Sequence, residues 1–236
     1  MNTHTIILAA GKGTRMNTNL PKVMQPLGGM SLIEHVISTA QEISKKITVV
    51  IGHQRNLLKE HLGEIDSTIE TVNQENQLGT AHAVKTASHL IQDDEKVLIL
   101  YGDVPLISNE TIQSLLDSEN KCTLLSMILS DPTGYGRIVS NEENLALKII
   151  EQKDASEDER KIKEAFTGIL LIDGSLLRPA LEEINNQNAA NEYYLTDLVE
   201  ILSSKGVKIN CIQANPTEVL GANDKHELHK LESILR

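Results

Sequence analysis

Apolar residues along this 236-residue chain fall into two alternating patterns, short unbroken runs and helix-spaced stripes. Thr5-Ile6-Ile7-Leu8-Ala9-Ala10 is continuous, as expected of a strand with both sheet faces covered. Ser31-Leu32-Ile33-Glu34 has the form of a capping box, and Val36, Ile37, Ala40 and Ile43 follow at helical spacing. Lys46 to Ile51 reads as the next strand, and Thr80 opens another helix through Ala81, Val84 and Ala87. Val97 to Tyr101 is a strand halted at Gly102-Asp103 and Val104-Pro105. A polar helix around Glu110 to Leu116 leads into a strand from Cys122 to Leu129. This alternation predicts an α/β fold, a mostly parallel sheet with helices on both faces.

The second half changes character. Arg137-Ile138-Val139 and Leu147-Lys148-Ile149-Ile150 flank a polar turn at Ser140 to Asn144, which predicts a hairpin. Asp154 to Lys163 is densely charged and reads as an exposed loop or short helix. Phe166 to Ile172 is a strand. Tyr193 to Ser204 is expected to be a helix ended by Gly206, followed by a strand from Val207 to Ala214. Asn223 is placed to cap a last helix with Leu228, Leu231 and Ile234 on one face. With no Pro-, Gly- or Ser-rich linker and no internal repeat, the expectation is one domain over 1–236. A smaller, more antiparallel lobe lies within it at about 130–215.

Composition sharpens this picture in three ways. Aromatics are 2% of the chain, Phe166 is the single phenylalanine and tryptophan is missing, so the core must be Ile, Leu and Val. A formal net charge of −11 argues against a nucleic-acid partner. No apolar stretch reaches membrane-spanning length and no signal peptide opens the chain, so the expected location is the cytoplasm, with no membrane partner. Cys122 and Cys211 each sit inside an apolar run and read as buried free thiols.

Against that acidic background, one basic loop stands out. The first strand breaks into Gly11-Lys12-Gly13-Thr14-Arg15-Met16, with Leu20-Pro21-Lys22 close behind. A strand ending in a glycine-rich turn exposes backbone N–H groups, and Lys12, Arg15 and Lys22 surround them, which suits a polyphosphate. The dinucleotide fingerprint does not fit, because Met16 stands at the third glycine position, and the P-loop ending is missing. A plain tight turn is the competing reading. Asp103 ends a buried strand, at the sheet edge where open parallel sheets bind ligands. A carboxylate facing polyphosphate needs a cation between them, and Mg²⁺ suits hard oxygen ligands. Asp103 as the cap of the following turn is the alternative. Further on, Asp131-Pro132-Thr133-Gly134-Tyr135-Gly136-Arg137 permits close backbone approach to a ligand, Glu151 ends the hairpin, and Thr196 is placed to hydrogen-bond a sugar. Taken singly, these also read as a turn, a solvated charge and a core-edge tyrosine segment.

Leu8-Ala9-Ala10-Gly11-Lys12-Gly13-Thr14-Arg15-Met16 followed by Leu20-Pro21-Lys22 resembles the signature of the sugar-phosphate nucleotidyltransferases. Four further motifs narrow the resemblance. They are Gln74 with Gln77-Leu78-Gly79-Thr80-Ala81, Tyr101-Gly102-Asp103-Val104-Pro105-Leu106, Thr133-Gly134-Tyr135-Gly136-Arg137-Ile138 and Glu192-Tyr193-Tyr194-Leu195-Thr196-Asp197. Together they resemble the uridyltransferase domain of the bacterial bifunctional N-acetylglucosamine-1-phosphate uridyltransferase/glucosamine-1-phosphate acetyltransferase family, in order from about Thr5 to Leu231.

The resemblance implies a Rossmann-like domain and a transfer of uridylyl from UTP to a sugar-1-phosphate. It implies that Leu8, Ala9, Ala10, Gly11, Lys12 and Gly13 hold the nucleotide. Gln74 would read the uracil edge with Gly79 and Thr80 beside it. Arg15 with Lys12 would face the leaving pyrophosphate, and Lys22 the reacting phosphates. Asp103 and Asn223 would hold Mg²⁺. Tyr101, Gly102, Gly136, Glu151, Phe166, Tyr194 and Thr196 would line the sugar.

Two departures from the family pattern carry their own expectations. No left-handed β-helix of hexapeptide repeats follows Leu231, so acetyl transfer and the trimer built by that domain are expected to be missing. Phe166 stands before Thr167-Gly168-Ile169-Leu170 where the family has Asn, which points to a different sugar-1-phosphate or nucleotide, or to an altered contact set. A non-enzymatic nucleotide-sugar sensor is the alternative of another class; retained Arg15, Lys22, Asp103 and Asn223 speak against it. His226 and His229 share a helix face without a third ligand for zinc.

Overall fold

The computed structural model describes residues 2–16 and 18–235. In chain order, its first half runs β1 (Thr3–Leu8), a short hairpin β2 (Pro26–Leu27) and β3 (Met30–Ser31), α1 (Leu32–Ile43), β4 (Lys46–Ile51), α2 (Arg55–Ile65), β5 (Glu70–Asn73), α3 (Thr80–Ala87) and β6 (Lys96–Tyr101). There follow α4 (Asn109–Leu116), β7 (Cys122–Ile128), β8 (Arg137–Ser140), β9 (Ala146–Ile150), β10 (Glu164–Asp173), α5 (Gly174–Glu183), α6 (Asp197–Ser204), β11 (Ile209–Gln213) and α7 (Lys225–Leu235).

The central sheet has the order β11-β7-β10-β6-β1-β4-β5. β1 runs parallel to both β4 and β6, and only β10 is reversed within that path, antiparallel to β6 and β7. Every residue of β1 is buried, which explains its unbroken apolar run. Successive side chains point to opposite faces. Ile6 and Leu8 join a core with α3, α5 and α6, while Ile7 packs with α1, α2 and α4.

Local signals produced the expected elements where they were strong. The capping box at α1 is complete: Glu34 N donates to Ser31 Oγ at 3.3 Å and Ser31 N to Glu34 Oε2 at 2.5 Å. The β8–β9 hairpin forms with Ile138 opposite Ile149. Cys122 and Cys211 are unpaired, and burial pushes both thiols up to about 12.

Elsewhere the structure corrects the expectation. β1 ends at Leu8, so Ala9 and Ala10 lie beyond it, with Ala9 N still donating to Val50 O. The helix expected from Tyr193 starts only at Asp197, because Tyr193 is held extended between Leu78 O and Ala81 N. The last helix is capped by Asp224, whose Oδ1 accepts Glu227 N at 2.9 Å; the Asn223 side chain turns to Lys22 instead. Within 130–215, β10 and β11 belong to the central sheet, and the β8–β9 hairpin leans on β10 through Ala165 and Arg137.

One buried polar network braces the end of the sheet where β1 and β6 begin. His4 is fully buried; its Nδ1 donates to Glu95 Oε1 at 2.9 Å and its Nε2 accepts from Thr48 Oγ1 at 2.8 Å. Glu95 can only accept when ionised and Thr48 can donate, so this geometry suits the neutral ring. Burial holds the His4 pKa below 6.5 against the pull of Glu95. The unfolded chain therefore takes up this proton first, and stability falls as pH drops below about 6.5. The expected result is a denaturation midpoint that declines from pH 7 to pH 5 in the wild type and declines less steeply in His4→Asn. Equal slopes remove His4 from the cause.

Candidate functional site

β1 and β6 end side by side, with Leu8 in register with Tyr101. Their following turns therefore meet. Gly102 N donates to Leu8 O at 3.0 Å, which closes the floor of a cleft of about 260 Å³. Leu8, Ala9, Ala10, Gly11, Lys22, Gln74, Gly79, Thr80, Tyr101 and Asp103 line it. Predicted nucleotide, catalytic, sugar and metal residues thus converge here from five separate segments, while Lys12 and Gly13 lie outside the lining.

The loop after β1 has the character of an anion cradle. The N–H groups of Ala10, Gly11, Lys12 and Gly13 donate to no backbone carbonyl among the described residues. Consecutive free amides of this kind concentrate positive potential. Lys12 and Arg15 are exposed on the same loop. Gly13 has φ +57, and a Cβ there would stand 2.6 Å from Lys22 Cβ. Glycine at this position lets Lys22 pass against the loop.

Lys22 is already committed. Its Nζ lies 2.5 Å from Asp103 Oδ2 and 3.1 Å from Asn223 Oδ1. Asp103 is 7% exposed, and Ala222 N donates to its carbonyl at 3.0 Å, tying the segment ahead of α7 to the turn after β6. A Cβ on Gly221 would sit 3.4 Å from Asp103 Oδ2. Two side-chain oxygens thus converge on one point of positive charge. That donor set fits a hard cation such as Mg²⁺, whose remaining ligands are commonly waters and phosphate oxygens.

On the far wall, Gly79 has φ +121 and precedes α3. A Cβ there would lie 2.4 Å from Tyr193 O, so the segment at Tyr193 packs directly on the glycine backbone. Leu195 N donates to Thr80 Oγ1 at 3.0 Å. Gln74, 4% exposed, donates from Nε2 to Gly79 O at 3.1 Å.

The predicted sugar residues divide. Tyr101 lines the cleft, and burial raises its phenol above the ordinary value. Gly102 is buried beneath it, where a Cβ would meet Val23 Cγ1 at 3.1 Å. Thr196 Oγ1 donates to Glu151 Oε1 at 3.0 Å, and a Cβ on Gly136 would stand 3.6 Å from that same Glu151 oxygen. Burial raises the Glu151 carboxyl and pushes Tyr194 up to about 12. Glu151 and Tyr194 face a second cavity of about 520 Å³ with six carboxylates, among them Asp154 and Asp197. Burial and the charges of Glu151, Glu200 and Asp154 push Asp197 to about 6. So acidic a cavity repels phosphate. Phe166 is a core residue at 5% exposure, in one apolar cluster with Ile138 and Ile149, and its N donates to Gly136 O at 2.9 Å.

Val23, Gln77, Ala83 and Glu192 also line the cleft. Gln77 and Glu192 stood inside recognised motifs without a role; Val23 and Ala83 offer no chemical signal in a sequence. Among the described residues no helix is long and apolar enough to cross a membrane.

Residues 5–166 match the family model described as MobA-like NTP transferase domain. The chain is 43% identical over 237 residues to the bifunctional protein GlmU of Caldanaerobacter subterraneus subsp. tengcongensis, covering 98% of this chain and 51% of that protein. Identity to the bifunctional protein GlmU of Clostridioides difficile is 43% over 242 residues, covering 100% of this chain and 52% of that protein. The chain thus spans about half the length of these relatives. A crystal structure of UDP-glucose pyrophosphorylase complexed with UDP-glucose superposes with a TM-score of 0.79 at 18% identity, covering 100% of this chain and 98% of that one. It shares the fold.

Proposed function

The chain belongs to the MobA-like NTP transferase domain family, and on that premise we propose that it transfers a uridylyl group from UTP to a sugar-1-phosphate, with N-acetylglucosamine-1-phosphate as the first candidate. The observation that carries this reading is the meeting of Lys22, Asp103 and Asn223 beside glycine-loop amides that meet no acceptor among the described residues.

In the proposed reaction an oxygen of the sugar phosphate attacks the α-phosphorus of UTP in line. A new P–O bond forms, the bond from the α-phosphorus to its bridging oxygen breaks, and pyrophosphate departs with that electron pair. Little covalent work falls to the protein, so positioning and charge neutralisation dominate. Arg15 and Lys12 hold the departing pyrophosphate on the exposed loop. Lys22 leaves its carboxylate partner for the phosphates at the reacting centre. Asp103 and Asn223 would hold Mg²⁺, which supplies positive charge opposite the polyphosphate. The Ala10–Gly13 amides cradle the nucleotide, and Gln74 meets the base. The sugar lies toward Tyr101, Gly136, Glu151 and Thr196.

A pyrophosphate-release screen of four nucleoside triphosphates against a panel of sugar-1-phosphates tests the reading. UTP with an N-acetylated hexosamine-1-phosphate is expected to give release. Nucleotide binding without release from any pair converts the protein into a sensor and overturns the assignment.

Phe166 supports a second reading, in which another sugar-1-phosphate is preferred. The ring fills core space, so Phe166→Asn is expected to lower stability by about 3 kcal/mol or more. Per folded molecule, it is expected to raise kcat/KM for N-acetylglucosamine-1-phosphate up to about tenfold, the value of one restored hydrogen bond. A wild type that is already efficient on this sugar, with a poorer variant, makes Phe166 a packing choice.

A further inference from the structure

The Gln74 amide has only one orientation compatible with its surroundings. One of its terminal atoms lies 3.1 Å from Gly79 O and 2.9 Å from His82 Nδ1. A backbone carbonyl can only accept, so that atom is the amide nitrogen, Nε2. Both Nε2 hydrogens are then used, one on Gly79 O and one on His82 Nδ1. His82 Nδ1 therefore accepts, and the ring is neutral with its proton on Nε2. Burial and the charge of Lys85 favour that neutral form. The ring is also held in place, tilted at 37° to Tyr193 with centroids 6.4 Å apart.

What remains of the amide is its oxygen. No described residue donates to Gln74 Oε1, and it is not among the buried side-chain atoms without a partner. Gln74 lines the cleft. The site therefore offers the base a hydrogen-bond acceptor, held there from behind.

We propose that His82 is a positioning residue that sets base preference, by holding the Gln74 amide so that its oxygen meets the N3–H of uracil or thymine. Cytosine carries a lone pair at N3 and would meet the amide oxygen acceptor to acceptor. Specificity here comes from an element that repels the wrong base as much as one that attracts the right one. Without His82 the second Nε2 hydrogen has no fixed partner, and the bond to Gly79 O alone is left to oppose a turn of the amide toward cytosine. This inference rests on the reading that Gln74 meets the base.

Calorimetric titration of UTP and CTP in Mg²⁺ buffer, with no sugar phosphate, tests it on wild type, His82→Leu and His82→Asn. The Asn variant keeps an acceptor, Oδ1, in the place of Nδ1. Wild type is expected to bind UTP at least about tenfold more tightly than CTP. His82→Leu is expected to reduce that ratio by about tenfold, and His82→Asn to keep it within about twofold of wild type. Where turnover is measurable, the change falls on nucleotide KM and leaves sugar-phosphate KM unmoved. An unchanged ratio in folded His82→Leu overturns the proposal. So does a His82→Asn that behaves like His82→Leu, or a wild type indifferent to the base. Tight, UTP-selective binding without turnover on any sugar phosphate sinks the proposed reaction and leaves the role of His82 standing.

Discussion

Arg15→Ala is expected to lower kcat for nucleotidyl transfer by about 10²–10³-fold, the usual loss when one group stabilising transition-state charge is removed. Its melting temperature should match wild type, because Arg15 is exposed and takes part in no ion pair among the described residues. Lys22→Ala should lose a similar factor in kcat for a different structural cost. It strips Asp103 of its 2.5 Å partner and leaves a nearly buried carboxylate with less compensation. The pair of variants separates charge on the leaving group from charge at the reacting centre. Pyrophosphate release and thermal melts, measured on the same preparations, decide it. Full kcat per folded molecule in Arg15→Ala removes that residue from the reaction.

Asp103→Ala is the second large effect. Turnover in Mg²⁺ is expected to fall by about 10³-fold or more, since the variant loses the carboxylate that meets Lys22 beside Asn223. The fold should survive. The turn is held by backbone, with Ala222 N on Asp103 O and Gly102 N on Leu8 O, and neither bond needs the side chain. Excess EDTA should silence the wild type equally. Wild-type rates in EDTA, or in Asp103→Ala, would remove the metal from the proposed site.

How much of this was legible in advance depended on whether the deciding interaction was local. β4 and β6 came out within a residue of expectation, because their apolar runs record burial on both faces. α1 announced itself through a capping box whose partners are three residues apart. By contrast, α2 buries only Leu58 and Leu62, and the α5 stripe of Leu177, Ala180 and Leu181 is interrupted by Pro179, which reads as a helix breaker. The start of α6 was misplaced for a related reason. Tyr193 is taken out of helical geometry by bonds to Leu78 and Ala81, more than a hundred residues upstream.

For the site, sequence alone determined the chemistry that strand ends would display: a glycine turn with cations after β1, and a carboxylate after β6. Residue type and strand order suffice for that, since parallel strands must deliver their following loops to one edge. Only the tertiary structure decided how those groups are spent. Lys22 reaches Asp103 and Asn223 across separations of 81 and 201 residues, and no local signal encodes that bond. The sequence showed Gln74 as an amide able to donate or accept. Which of the two it offers was settled by Gly79 O and the ring of His82, because a hydrogen-bond direction belongs to neighbours in space.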